Sequence, residues 1–351
     1  MTILVYDLQV TLYVDISQMD VHPDPIKNFI SIVCLVQSVK AHITATMDRW
    51  DTSQIPDLTG KVVVITGGNT GIGLQAAIVF AGNGAETILA CRNGTKALRA
   101  VRLIRKKIPG ARVKYLHLDL GKLESVHRFA ESFKQSYSRL DVLLNNAGVI
   151  LNPHRTTDDG FESQMGINHL GHFALTGLLI DLIAGTHGAR VVNVSSKIHR
   201  FGRMDFEDLQ YVSGRGYSRI GAYSRSKLAN LLFTYELERR FQKANLDAMA
   251  LAVHPGYSYT DFGRARFFKA LRILFYPLVV AITQSSERGA LPSLRASIDP
   301  AVKGGDFLGP GGRFQIKGHP VKISSNGASH DREDALLLWE VSESLTGVKY
   351  L

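Results

Sequence analysis

The sequence predicts an α/β protein, a doubly wound parallel sheet with helices on both faces, and three observations carry that reading. The run Val62-Val63-Val64-Ile65 is β-branched and wholly apolar, which suits a strand covered on both faces. It stops at a glycine-rich turn, Thr66 to Gly73, after which apolar residues recur at helical spacing (Leu74, Ala77, Ile78, Ala81). Further along, three strand-to-helix units follow in succession, which implies parallel strands joined by right-handed crossovers.

Residues 1–46 do not read as part of this fold. Asp7, Asp15, Asp20 and Asp24 interrupt any amphipathic period, and no cationic segment precedes an apolar core as a signal peptide requires. The apolar run from Phe29 to Val36 falls well short of the ~20 residues that span a bilayer. The segment is expected to be a disordered or dispensable extension, or the product of a start codon assigned too early, with a single domain over 47–351. The turn itself reads T-G-x-x-x-G-x-G. Its glycines permit a tight turn and close backbone approach, and the following helix start offers N–H groups and a partial positive charge to a phosphate.

Thr87 to Cys91 reads as the second strand. Arg92 stands at its end, nineteen residues past Gly73, where a dinucleotide-binding unit contacts the adenosine ribose. A carboxylate there would accept from a free 2′-hydroxyl; an arginine offers a charged fork to a 2′-phosphate instead, which favours NADP(H), with NAD(H) as the alternative. Lys96 either reinforces that charge or is an ordinary solvated lysine at a helix start. Arg112 to Leu118 forms a third strand ending in Asp119-Leu120, and a helix through Leu123, Val126, Phe129, Ala130 and Phe133 follows. The fourth strand, Leu140 to Leu144, runs into Asn145-Asn146-Ala147-Gly148. Ligands bind such sheets beyond the carboxyl ends of the strands, so Asp119 and Asn145 are expected near the adenine and the adjoining loop, Asp119 being alternatively a helix cap.

A helix is expected over Gly160 to Ile183, with Asn168 inside it. His169 and His172 flank that asparagine without a carboxylate or cysteine at metal-ligand spacing, and both read as structural. Ala189 to Val194 is the fifth strand and ends in Ser195-Ser196. The helix from Gly221 to Phe241 carries Tyr223 and Lys227 four residues apart, hence on one face. A tyrosine titrates near ~10, too high for efficient acid–base work at neutral pH, and a neighbouring ammonium lowers that value.

Composition narrows the class. Hydrophobic residues at 45% and charged residues at 21% fit a globular protein with a sizeable core. Cys34 and Cys91 are the only cysteines, which excludes a disulfide framework and points to a reducing, cytoplasmic setting. The net charge of +10 suits an anionic cofactor, and because the basic residues are scattered, nucleic-acid binding is not expected.

Taken together, T-G-G-N-T-G-I-G (66–73), N-N-A-G (145–148), Asn168, Ser196, Tyr223-x-x-x-Lys227 and His254-Pro255-Gly256 resemble the short-chain dehydrogenase/reductase family. A-C-R (90–92), N-H-L-G-H-F (168–173), V-V-N-V-S-S (191–196) and S-K-L-A-N (226–230) resemble its retinol-dehydrogenase-like branch, over about residues 55–351. The resemblance implies a single-domain Rossmann fold and an oxidoreductase with the tetrad Asn168, Ser196, Tyr223 and Lys227. Ser196 would hold the substrate oxygen, Tyr223 would transfer the proton, Lys227 would bind the nicotinamide ribose, and Asn168 would anchor a water-mediated relay. Cofactor contacts are implied at Gly67, Asn69, Thr70, Gly71, Ile72, Gly73, Arg92, Lys96, Asp119, Leu120, Asn145, Ala147, Gly148, Tyr223, Lys227, Pro255, Gly256, Ser258 and Thr260. The apolar stretch Phe262 to Ile282 would be a substrate lid, within about 257–283, or else a membrane-surface patch or oligomer contact. A lid of that kind suits a small hydrophobic alcohol, aldehyde or ketone. The glycine-rich Gly304 to Gly318 is expected to be a loop around a last strand. Two other readings stand beside this one: a cofactor-binding scaffold on the same fold, and a membrane-tethered enzyme. Homodimer and homotetramer remain open.

Overall fold

The computed structural model describes residues 2–7, 10–15, 49–256 and 284–351. The expected lid, with Ser258 and Thr260, therefore lies outside the described residues. The chain divides into two units, Met1–Arg49 and Trp50–Leu351. In the first, β1 (Thr2–Asp7) pairs antiparallel with β2 (Val10–Asp15), so that Thr2 faces Asp15 and Asp7 faces Val10.

The second unit opens with β3 (Val62–Thr66), α1 (Gly71–Gly82), β4 (Glu86–Cys91), α2 (Gly94–Lys107) and β5 (Val113–His117). Next come α3 (Leu123–Ser136) and β6 (Val142–Asn145). A composite helix follows: one turn at Ser163–Met165, a π-helical turn at Gly166–Leu170, and α4 (Gly171–Leu178). Then come α5 (Ile180–Ala184), β7 (Ala189–Val194), α6 (Arg219–Lys243) and β8 (Ala248–Val253). Beyond the undescribed stretch lie α7 (Ser286–Ile298), β9 (Phe307–Pro310), β10 (Pro320–Lys322) and α8 (Arg332–Thr346).

The strands form one sheet in the order β10-β9-β8-β7-β6-β3-β4-β5, and every neighbouring pair is parallel except β10 with β9. From β3 the chain steps outward to β5, then returns to the other side of β3 and steps outward again from β6. The reversal leaves a crevice between β3 and β6 at their carboxyl ends, where such sheets bind ligands. Alternation along β3 explains the unbroken apolar run. Val63 and Ile65 enter a core with Phe80 of α1, Ile104 of α2 and Leu294 of α7, while Val62 and Val64 enter a second core with Phe129 and Phe133 of α3 and Phe173 of α4. Phe80, Phe129 and Phe133 are fully buried, each contributing roughly 1.5–3 kcal/mol.

The helix expected from Gly160 is interrupted and starts later. Gly160 has φ +86°, incompatible with a right-handed helix, and Glu162 is the true cap, its carboxylate accepting from the amides of Gln164 at 2.9 Å and Met165 at 2.8 Å. A further break falls at Leu179, with φ −104° and ψ 7°.

Candidate active site

The crevice holds a cleft of about 410 Å³ whose floor is the turn after β3. Gly67 has φ +68°, and a Cβ there would stand 3.1 Å from the Ala147 Cα. A Cβ on Gly73 would meet the Asn146 Nδ2 at 2.6 Å and the Gly67 carbonyl oxygen at 2.7 Å. Both positions exclude a side chain and leave backbone facing the cleft. Thr70, extended at φ −154°, precedes α1, whose first turn opens on the same space. Gly67, Asn69, Thr70, Gly71, Ile72 and Gly73 all line it, as do Arg92, Lys96, Asp119, Leu120, Ala147, Gly148, Pro255 and Gly256.

Thr66 ties the turn to the neighbouring strand end. Its hydroxyl accepts from the amides of Asn146 and Ala147, both at 2.9 Å. The same oxygen lies 2.8 Å from His172 Nε2, while His172 Nδ1 lies 3.1 Å from the Asn168 carbonyl. Placing the ring proton on Nδ1 satisfies both contacts: the ring donates to Asn168, and Thr66 donates to the ring. Burial, with the Lys227 charge acting in the same sense, pushes the His172 pKa down to about 3, so the imidazole stays neutral. His169, its Nε2 2.9 Å from Ser342 Oγ, is likewise pushed down to about 3 by burial.

Ser196, Tyr223 and Lys227 share this cleft with the glycine turn. Ser196 lies two residues past β7 and caps the short 3₁₀ turn Lys197–Phe201, its Oγ accepting from the Ile198 amide at 3.4 Å. The adjacent Ser195 is turned toward α6, where its hydroxyl donates to the Lys227 carbonyl at 2.7 Å. Lys227 in turn donates from Nζ to the Val194 carbonyl at 2.9 Å, and Asn230 donates to that oxygen at 3.0 Å. These bonds fix the register of α6 on β7. They leave the Lys227 ammonium 5.8 Å from the centroid of the Tyr223 ring.

Two predicted residues stand behind the cleft. Asn168 is buried in the π-helical turn, where its Oδ1 accepts from the Val149 amide at 2.8 Å and its Nδ2 reaches the Val149 carbonyl and Ser226 Oγ, both at 3.0 Å. The Asn145 side chain is buried too, donating to Asn193 at 2.8 Å and Thr176 at 3.2 Å. Its neighbour Asn146 lines the cleft instead.

The family model of the short chain dehydrogenases matches residues 61–269. The chain belongs to that family. It is similar to human (Homo sapiens) retinol dehydrogenase 13, 38% identical over 83% of this chain and 86% of that protein. Against human retinol dehydrogenase 12 the identity is 39%, over 84% of this chain and 88% of the relative. These likenesses place it in the retinol-dehydrogenase-like branch. Among solved structures, an uncharacterized protein from Mycobacterium paratuberculosis superposes with a TM-score of 0.72 at 40% identity, covering 86% of this chain and 99% of that one. The protein is therefore an oxidoreductase acting on CH–OH or C=O groups, with a nicotinamide dinucleotide as its cofactor.

Several residues of this short-chain dehydrogenase's cleft went unread in the sequence. Asn93 lines it and caps α2 by accepting from the Lys96 amide at 2.9 Å. Cys91 lines it as a neutral wall, its thiol pushed up to about 12 by burial, against the opposing backbone amides of Asn69, Gly68 and Gly67. Val149, Ile150 and Ile167 supply apolar lining. Only Asn93 carried a local signal, as a capping residue before a helix.

Proposed function

We propose that the enzyme uses NADP(H) in preference to NAD(H), with Ser196, Tyr223 and Lys227 as its reacting and binding groups and Asn168 as a relay anchor, on a hydrophobic alcohol or carbonyl. The observation that carries this reading is the meeting of a tyrosine, a lysine and a serine with a side-chain-free glycine turn in one cleft. The turn fits a dinucleotide: backbone faces the cleft where Gly67 and Gly73 exclude a Cβ, and the N-terminus of α1 favours a pyrophosphate.

A bound nicotinamide would supply or accept the hydride. The protein's part is proton transfer and charge placement. Tyr223 gives a proton to the substrate oxygen in reduction and takes it back in oxidation, and the Ser196 hydroxyl holds that oxygen. Lys227 sets positive charge beside the ring, where the phenolate charge develops, and reaches the nicotinamide ribose. The Asn168 side chain is fully engaged with Val149 and Ser226, which holds its backbone in the π-helical turn. Apolar lining from Val149, Ile150 and Ile167 supports a hydrophobic substrate. The name shared by the human relatives puts a long, retinoid-like alcohol or its aldehyde first among candidates.

Tyr223→Phe keeps the ring and removes the acid–base hydroxyl. In NADPH oxidation against a panel of aldehydes and ketones, turnover should fall by at least ~10²-fold with cofactor affinity little changed. A variant that retains most of its activity would remove Tyr223 from this role.

A further inference from the structure

The segment after β6 reaches the cleft through Val149 and Ile150, and it is gripped from behind at alternate residues. Asn168 holds Val149; four residues earlier, Gln164 accepts from the Leu151 amide at 2.9 Å. Leu151 has φ +53°, a left-handed conformation that a leucine keeps only where its surroundings over-determine it. Gln164 is fully buried, and its amide nitrogen donates outside its own helix, to Tyr217 Oη and to the Arg219 carbonyl, both at 3.1 Å. The Tyr217 hydroxyl donates to the Asn152 carbonyl at 2.9 Å, with Glu162 Oε1 at 3.3 Å as the alternative acceptor. Burial, reinforced by the Glu162 charge, pushes the Tyr217 pKa up to about 12, which keeps it a neutral donor.

We infer that Gln164 and Tyr217 are specificity-determining positioning residues, a latch that holds Val149 and Ile150 as the wall against which the substrate's carbon skeleton lies. A buried glutamine serving only its helix would bond within it. This one joins Leu151, the residue next to the wall, to Tyr217 and to Arg219, the first residue of α6, the helix that carries Tyr223 and Lys227. The latch therefore sets the spacing between the wall and the proton donor. The inference rests on the function proposed above, and neither residue lines the cofactor's turn.

The test uses the full chain with Tyr217→Phe and Gln164→Met, which keep bulk and remove the bonds. Steady-state kinetics are measured with a short-chain and a long-chain aldehyde, NADPH affinity by fluorescence, and amide hydrogen exchange over 149–152. Expected are a roughly five- to tenfold rise in KM for the long-chain aldehyde, little change for the short one, and kcat within about twofold of wild type. NADPH affinity should hold, and exchange at 149–152 should accelerate. An equal KM rise for both aldehydes, a changed NADPH affinity, or unaltered exchange would overturn the inference. If the wild-type enzyme turns over no aldehyde, the proposed function fails instead, and the exchange measurement alone decides the latch.

Discussion

At the end of β4 the Arg92 guanidinium stands beside the cleft, 68% exposed and 3.9 Å from an Asp119 carboxylate oxygen. A pair so long and so exposed contributes little, so Asp119 offers weak competition to a 2′-phosphate. That phosphate would gain charge-assisted hydrogen bonds of roughly 1.5–3 kcal/mol each. Arg92→Asp removes the attraction and adds a repulsive charge. The KM for NADPH should rise at least tenfold, while that for NADH stays level or falls. An unchanged preference between the two, measured on purified wild type and variant, would make Arg92 a surface turn residue only. At this scale the sequence reads well where backbone freedom dictates the residue, as at Gly67 and Gly73 of the turn. It reads poorly where two like residues adjoin. In Asn145-Asn146 the strand's alternation sends the first side chain to Asn193 and Thr176, and the second toward the turn, where it donates to the Thr66 carbonyl at 2.8 Å.

Among the elements, those with strong local signals were legible. β7 spans Ala189–Val194 as its apolar run predicts, and α6 covers the expected Gly221–Phe241 with two further residues at each end, Ser218 capping its start by accepting from the Gly221 amide at 3.3 Å. The composite helix around Asn168 was not legible, because a π-helical turn has no period that side-chain hydrophobicity reports. Just after that turn Gly171 packs tightly on another part of the chain, where a Cβ would stand 2.4 Å from the Leu120 carbonyl oxygen. The extension is also an element-scale question. The β1–β2 hairpin pairs within itself, and the eight strands of the large sheet all lie between Val62 and Lys322. A chain starting at Met47 should therefore fold and turn over like the full chain. Insoluble protein, or protein unable to bind cofactor, would show that residues 1–46 are required.

For the whole molecule, buried histidines set the response to acid. Burial holds His169, His172 and His254 down to about 3 and His199 to about 4, against roughly 6.5 in an unfolded chain. Below about pH 6.5 the unfolded chain takes up protons that the folded one refuses, so stability falls as pH falls. Each histidine contributes up to about 1.4 kcal/mol per pH unit in that window. Denaturant midpoints should drop clearly between about pH 7.5 and about pH 5.5, and a flat profile would contradict this account. No helix among the described residues is long and apolar enough to cross a membrane. By itself the sequence determined the class of fold, the glycine turn and the Tyr223–Lys227 pairing, because each depends on neighbours in the chain: strand alternation, backbone freedom at glycine, and the four-residue helical repeat. Only the tertiary structure decided which asparagine faces the cleft, how Gln164 and Tyr217 bond Leu151 and Asn152, and that burial holds four histidine pKa values down. Those outcomes depend on burial and on partners far apart in the chain, which no local pattern encodes.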